Sequence, residues 1–285
     1  WGIAMAAALV GAAPPAPVSA PEEGKVLTFE RSASPGSVKA PLVTGSPITA
    51  MDLLKRVFTD LDDQGHYRTI APVRPVPNAV APEMGAGYQS EKSEPPMEMQ
   101  PPTYAVVHEG RHAIGFVLGG SVLVSDWLLP VPAGGKALFV GTDPGGSPTI
   151  DRAFAVADGE AVALVRNGHT NAGEDFQSYS LYAQNFSGLR QVYPELFLYS
   201  VTVKGEGRCA SPFHRQTLDT FRPLASRHGG HADIAVSVTE AVECEIGDVH
   251  PVSSRKFPFT LIWNGRRYVG GSAALDRINS GRMGQ

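Results

Sequence analysis

Short apolar runs separated by glycine or proline, together with runs such as 176–186 in which alternate residues differ in polarity, predict a protein built mainly from β-strands. One stretch instead shows helical spacing of its apolar residues, which are Met51, Leu54, Val57, Phe58 and Leu61. This spacing predicts a helix over residues 50–61. Thr49 can cap its N-terminus, because an acidic residue lies three positions further on, as in a capping box.

The predicted strands are short and are separated by turn-forming residues. Asp158-Gly159 and Asn264-Gly265 are typical of tight turns between antiparallel strands. The helices that must alternate with the strands of a parallel sheet are missing from the pattern. Strands are predicted at 67–73, 104–109, 111–118, 122–129, 136–140, 150–156, 161–166, 176–186, 189–203, 234–242, 257–263 and 267–269. The expected fold class is therefore α+β and β-dominated, with mainly antiparallel sheets and one N-terminal helix.

The chain divides into three predicted regions. Residues 1–20 carry no charged side chain and end in Val18-Ser19-Ala20, which is typical of a signal peptide with its cleavage site. Residues 21–47 are rich in proline, serine and glycine and are expected to form a flexible linker. Residues 48–285 are predicted to form a single β-rich domain, in which 74–102 form a long proline-rich loop.

Charge and cysteine content fit an exported protein, periplasmic or extracellular. The formal net charge of −4 gives no general attraction for nucleic acid or anionic lipid, so neither is expected as a partner. The apolar part of the leader is shorter than the roughly 20 residues that span a bilayer, so no membrane span is expected. The two cysteines, Cys209 and Cys244, are expected to form a disulfide in an oxidising compartment; two buried free thiols are the alternative.

One segment matches a zinc-hydrolase motif. His108-Glu109-Gly110-Arg111-His112 has the HExxH spacing, which on a helix places two histidines on one face to hold zinc while the glutamate activates water. The flanking residues are β-branched, aromatic or glycine, and they favour a hairpin with a turn at Glu109-Gly110. We therefore expect no metal, no other cofactor and no catalytic residue here, and keep His108, Glu109 and His112 as the alternative.

The densest polar segment is Asn167-Gly168-His169-Thr170-Asn171, predicted as a loop between strands. Gln177 and Tyr179 lie nearby in the sequence. Polar loops held by rigid strands often bind ligands, so Asn167, His169, Asn171 and Tyr179 are candidate binding residues. The competing interpretation is a turn held by its own side chains.

Several segments resemble a group of uncharacterised exported bacterial proteins. They are LLKRVFTDLDDQG (53–65), ALVRNGHTNAGEDFQSY (163–179), the strand before Cys209, IAVSVTEAV (234–242) and FTLIWNGRRYV (259–269). The resemblance runs from about residue 48 to residue 270. It implies export, one disulfide and one β-rich domain, and it implies no chemistry.

Three classes of function remain open. The chain lacks the nucleophile elbow of serine hydrolases, the glycine-rich loops of nucleotide-binding proteins and the CxxC of redox proteins. The sequence therefore favours a non-catalytic exported protein, either an accessory protein or one that binds a small ligand. A zinc-dependent hydrolase using the HEGRH segment is the first alternative. The second is a cell-envelope protein that contacts a partner protein through the 74–102 segment.

Overall fold

The computed structural model describes residues 38–76, 85–141, 146, 148–171, 174–202, 212–244 and 253–282, without the side chains of His169 and Asn171. The predicted signal peptide, residues 21–37 of the predicted linker and Cys209 lie outside the described residues. The disulfide between Cys209 and Cys244 therefore stays a prediction.

The described residues form two helices and seventeen strands. The helices are α1 (Ala50–Lys55) and α2 (Ala273–Arg282). The strands are β1 (His66–Tyr67), β2 (Thr69–Ile70), β3 (Arg74–Pro75), β4 (Tyr88–Gln89), β5 (Met97–Glu98), β6 (Thr103–Glu109), β7 (His112–Gly119), β8 (Val122–Leu129), β9 (Lys136–Phe139), β10 (Thr149–Ala157), β11 (Glu160–Asn171), β12 (Glu174–Asn185), β13 (Gly188–Thr202), β14 (Phe213–His228), β15 (His231–Glu243), β16 (Ser253–Trp263) and β17 (Tyr268–Val269).

Two larger sheets contain most of these strands. One has five strands in the order β3-β9-β8-β7-β6, and the other has eight strands in sequence order from β10 to β17. All neighbours pair antiparallel except β3 and β9, which are parallel. The strands β1 with β5 and β2 with β4 form two further, two-stranded sheets. The β-dominated, antiparallel fold class is thus confirmed.

Alternation along β11 shows how the two large sheets pack. Ala161, Ala163 and Val165 belong to a buried cluster shared with the five-stranded sheet. Val162 and Leu164 point the other way, into a cluster formed by the eight-stranded sheet itself. Because successive side chains of a strand point to opposite faces, one strand serves both cores. The outer face of the five-stranded sheet is covered by α1 and the segments around it.

The eight-stranded sheet curls so that its first strand meets its fifth. The Arg152 guanidinium on β10 donates to the Phe221 carbonyl on β14 at 3.3 Å, and Arg227 on β14 donates to the Val156 carbonyl on β10 at 3.3 Å. The Phe154 and Phe221 rings contact each other inside the curl. The curled sheet therefore encloses its own apolar interior.

Within the described residues, the join between β13 and β14 is short, and we call it the seam. It pairs Val201 with His214 and Thr202 with Phe213. Next to these pairs the Gln216 side chain, instead of the β14 backbone, bonds the β13 backbone. Its amide oxygen accepts the Tyr199 N–H at 2.8 Å, and its amide nitrogen donates to Asn279 of α2 at 2.7 Å. Helix α2 thus covers the seam.

Three details of the predicted elements are wrong. Helix α1 ends at Lys55, and residues 56–61 continue in turns that keep Phe58 and Leu61 buried. The helix α2 is a second helix, so the expected single N-terminal helix is corrected. Strand β14 was not predicted, because it buries the polar Gln216 and contains Pro223.

The two predicted linker segments are also corrected where the structure describes them. In the predicted 21–47 linker, Val38 and Val43 are buried in the core around α1 and the five-stranded sheet. In the predicted 74–102 loop, β3, β4 and β5 pair with other strands, and Val76 and Met99 are buried. Isolated buried apolar residues, which show no periodicity in the sequence, thus hold these proline-rich segments against the core. Residues 77–84 lie outside the described chain.

Candidate functional site

A cavity of about 410 Å³ lies inside the curled sheet, at the end where β10, β12 and β14 begin. We call it the polar pocket. Its side chains include Asp151 and Arg152 from β10, Arg166 from β11, and Asp175, Gln177 and Tyr179 from β12. Strands β13 and β14 close the other side, with Arg215 among their contributions. A cavity of this size is in the range that holds small organic ligands.

An irregularity in β10 places two charged neighbours in the pocket. The β10–β11 register runs from Ile150 with Val165 directly to Arg152 with Leu164, so Asp151 is the extra residue of a bulge. A bulge re-aims the side chains beside it. As a result Asp151 and Arg152 both line the pocket, and the Arg152 Nε donates to an Asp151 carboxylate oxygen at 2.7 Å.

The wall formed by β12 is a row of alternating residues. Asp175, Gln177 and Tyr179 share one face of the strand, because side chains two apart point the same way. The Tyr179 hydroxyl donates to the Gln177 amide oxygen at 2.9 Å, and the Gln177 amide nitrogen donates to Asp175 at 2.9 Å. On β11, Arg166 lies opposite Tyr179 in the strand register. The polar groups of this row therefore hold one another in place.

The Tyr179 phenol is neutral at physiological pH, and burial favours this protonated state further. Loss of solvent around the ring raises the pKa of Tyr179, the Asp151 carboxylate raises it further, and the Arg166 and Arg152 guanidinium groups oppose the shift. A phenol protonated at neutral pH remains a hydrogen-bond donor. This fixes the direction of the bond from Tyr179 to Gln177.

The charges of the polar pocket are unevenly compensated. Arg152 pairs with Asp151, and Arg215 pairs with Glu243 at 3.1 Å. Among the side chains that the structure describes, Arg166 forms no salt bridge with a carboxylate and Asp175 forms none with a cation. Asp175 accepts only from neutral groups, the Gln177 amide and the Thr170 hydroxyl. Within the described residues, the pocket thus holds one positive and one negative group without an ionic partner.

The predicted binding loop is not a loop. Strand β11 runs through Asn171, and each residue from 167 to 171 is paired with β12. The Asn167 amide donates to the Gly141 carbonyl at 3.0 Å, on the face of β11 opposite to Arg166. Of the predicted binding residues, Tyr179 lines the polar pocket and Asn167 does not; the side chains of His169 and Asn171 lie outside the described part of the structure.

Strand pairing explains the glycine within this segment. A Cβ at residue 168 would lie 2.3 Å from the Phe176 carbonyl oxygen, a backbone atom that cannot turn away. Gly168→Ala is therefore expected to lower the free energy of unfolding by about 2 kcal/mol, as overpacking does elsewhere. Urea unfolding measures this, with Gly281→Ala as the matched control, because a Cβ there meets nothing within 4 Å. Equal stabilities for the two variants would contradict the described pairing.

The HEGRH segment forms the predicted hairpin. Strands β6 and β7 pair Glu109 with His112 and His108 with Ala113, and Gly110 and Arg111 form the turn, one residue later than predicted. Residues directly opposite share a face, and neighbours along a strand alternate. His112 therefore shares a face with Glu109, whereas His108 points to the other side of the sheet. The two histidines do not face one site, as the zinc motif would require on a helix.

The polar groups of this hairpin have other contacts. A Glu109 carboxylate oxygen accepts the Gly159 N–H at 2.9 Å, and the His112 ring lies edge-on to Trp127 with centroids 5.1 Å apart. Partial burial raises the pKa of Glu109, although the Gly159 N–H opposes the shift. Two acidic residues elsewhere in the sequence, which could otherwise serve as a third zinc ligand, form salt bridges. Asp126 pairs with Arg56, and Glu160 pairs with Arg190. Across the described ranges, no group of three metal-ligating side chains occurs.

Neither helix found in the described residues has the length and apolar content needed to cross a membrane. Comparison of the chain with protein family models, with curated proteins and with solved structures finds no match in any of the three.

Proposed function

We propose that this protein is an exported, non-catalytic binding protein that holds a small polar ligand in the polar pocket. The observation that carries the proposal is the cavity of about 410 Å³ in the curled sheet, lined by charged and amide side chains from β10, β11, β12 and β14. Sites built on strands hold their side chains more precisely than sites on loops.

The hydrogen bonds between pocket residues favour recognition of a ligand of defined shape. Gln177 is held on both sides, by Tyr179 and by Asp175, and Arg152 is held by Asp151 and by the Phe221 carbonyl. Side chains held in this way lose little conformational entropy when a ligand binds. The pocket is therefore preorganised, as binding sites for small molecules usually are.

Export is part of the proposal and rests on the sequence. The uncharged leader at 1–20, ending in Val18-Ser19-Ala20, supports secretion to the periplasm or beyond. The pair Cys209 and Cys244 supports an oxidising compartment. A binding protein in such a compartment would meet small polar solutes directly.

Thermal unfolding in the presence of small polar compounds tests the function. A panel of amino acids, short peptides, sugars and organic acids at millimolar concentration is expected to contain at least one compound that raises the midpoint temperature. A ligand at 100 times its dissociation constant stabilises the folded state by about 2.7 kcal/mol. Gln177→Ala should abolish this shift, because Gln177 lies in the pocket wall.

The control for that experiment is Gln191→Ala, which removes the same side chain from β13 outside the pocket lining. It should leave the ligand-induced shift intact. If every stabilising compound acts equally on both variants, or if none stabilises the parent protein, the polar pocket is not the binding site.

A further inference from the structure

Two charged groups of the polar pocket have no salt-bridge partner among the described residues, and these are Arg166 and Asp175. Arg166 lies opposite Tyr179 in the β11–β12 register, the Tyr179 hydroxyl donates to the Gln177 amide, and that amide donates to the Asp175 carboxylate. Asp175 lies four residues from Tyr179 along β12, so at about 3.3 Å per residue the two ends are roughly 13 Å apart along the strand. The strand pairing therefore sets the sign and the approximate spacing of the charges.

The two ends differ in depth. Arg166 lies opposite Tyr179 in the β11–β12 register and two residues beyond the buried Leu164, next to the apolar interior. Asp175 lies opposite the exposed Thr170, near the end of the same strand pair. A ligand that enters from this end would place its anionic group innermost and its cationic group at the rim.

We infer that the polar pocket binds a short linear zwitterion, with its carboxylate on Arg166 and its cationic group on Asp175; this inference rests on the proposed function. Arg166 can pair with a carboxylate through two parallel N–H donors. Asp175 has only neutral donors among the described residues and gains a charge-assisted bond from an ammonium. The ligand therefore completes two pairs that the described chain leaves open.

The spacing selects the length of the ligand. A free α-amino acid holds its two charges on one carbon and is too short for this spacing. An extended peptide rises by at most about 3.3–3.6 Å per residue, so three residues with a hydrogen bond at each end match it. Between the ends, the Gln177 amide and the Thr217 hydroxyl line the same cavity and can hydrogen-bond peptide groups. Short peptides with free termini fit both the charge pattern and the length.

Calorimetric titration with triglycine tests the inference. Triglycine, with both termini free, is expected to bind at least tenfold more tightly than N-acetyltriglycine, which lacks the ammonium, and than triglycinamide, which lacks the carboxylate. Glycine alone should bind no better than the blocked peptides. Because the three peptides share one backbone, the differences isolate the terminal charges.

Two variants test which residue recognises each terminal charge of the peptide. Arg166→Gln should remove the preference for triglycine over triglycinamide and keep the preference over N-acetyltriglycine. Asp175→Asn should do the reverse. Arg222→Gln, on the exposed part of β14, should change neither preference. Far-ultraviolet circular dichroism and the unfolding midpoint confirm that each variant is folded before it is titrated.

The outcomes separate the two proposals. If triglycine fails to bind, or if the blocked peptides bind equally well, the zwitterion inference is overturned. The proposed function still stands in that case if another compound stabilises the parent protein and not Gln177→Ala. Binding of triglycine that neither Arg166→Gln nor Asp175→Asn alters also overturns the inference, because the charges would then be recognised elsewhere.

Discussion

Arg56→Met is expected to lower the free energy of unfolding by about 2–4 kcal/mol. The Asp126 carboxylate is almost completely buried, with 1% of its side chain exposed, and it accepts from the Arg56 guanidinium at 2.7 Å and from the Ala133 N–H at 3.0 Å. Without Arg56 the carboxylate keeps a single neutral donor in a site largely without solvent. An unpaired buried charge is among the most destabilising changes in a protein.

Urea denaturation of the parent and the variant measures this difference. Lys55→Met is the matched control, because Lys55 is the neighbouring cation in the chain and its 4.0 Å contact with Asp63 is exposed on both sides. The control should leave the midpoint nearly unchanged, as exposed pairs contribute little. A loss below 1 kcal/mol for Arg56→Met would show that Asp126 does not depend on this pair.

Gln216→Met is expected to cost about 3 kcal/mol of stability. Gln216 is 3% exposed, and its amide joins the Tyr199 N–H on β13 to the Asn279 amide on α2. Methionine fills a similar volume and removes both bonds, so two buried polar groups lose a partner. Each such loss costs about 1–3 kcal/mol.

Gln191→Met provides the control for this change, because the Gln191 amide makes an exposed bond to the Pro194 carbonyl. Its effect on the unfolding midpoint should be small. Hydrogen exchange adds a local measurement: in Gln216→Met the Tyr199 amide should exchange faster than other amides of β13. Unchanged protection of Tyr199 would contradict the role of Gln216 at the seam.

The parts of the fold that follow from short apolar runs or from alternation could be predicted from the sequence. Strands β7 and β8 are buried at nearly every position, and β6, β12 and β15 alternate over part of their length. The predicted bounds of these strands lie close to the observed ones. The HEGRH hairpin was predictable for the same reason, since β-branched and aromatic residues flank it. The packing of the two sheets was not, because it depends on which face of each strand meets which sheet.

Elements that bury polar side chains escaped prediction. Helix α2 buries Leu275 and Asn279, and β14 buries Gln216, so their buried faces do not read as apolar periods. Gln216 and Asn279 are hydrogen-bonded to each other although they lie 63 positions apart in the sequence. Hydrophobic periodicity reflects only residues close together in the sequence, so it does not reveal such pairs.

The candidate site was predictable only in part. Tyr179 was singled out beside a polar segment, but the segment itself pairs as a strand and points Asn167 away from the pocket. The alternating row Asp175, Gln177 and Tyr179 was visible in the sequence as polar residues two apart. Arg152 and Asp151 were not, because the bulge that turns both into the pocket is a property of pairing with β11.

The seam also bears on the order in which the molecule folds. Most strand pairs of the curled sheet join consecutive strands, and such local contacts form early and rapidly. The Gln216–Asn279 contact joins residues 63 positions apart, so its formation costs more loop-closure entropy than pairing of consecutive strands does. Strands β13 and β14 therefore gain this last contact only after residues 273–282 have been synthesised and have folded back, which makes docking of α2 a late step in folding.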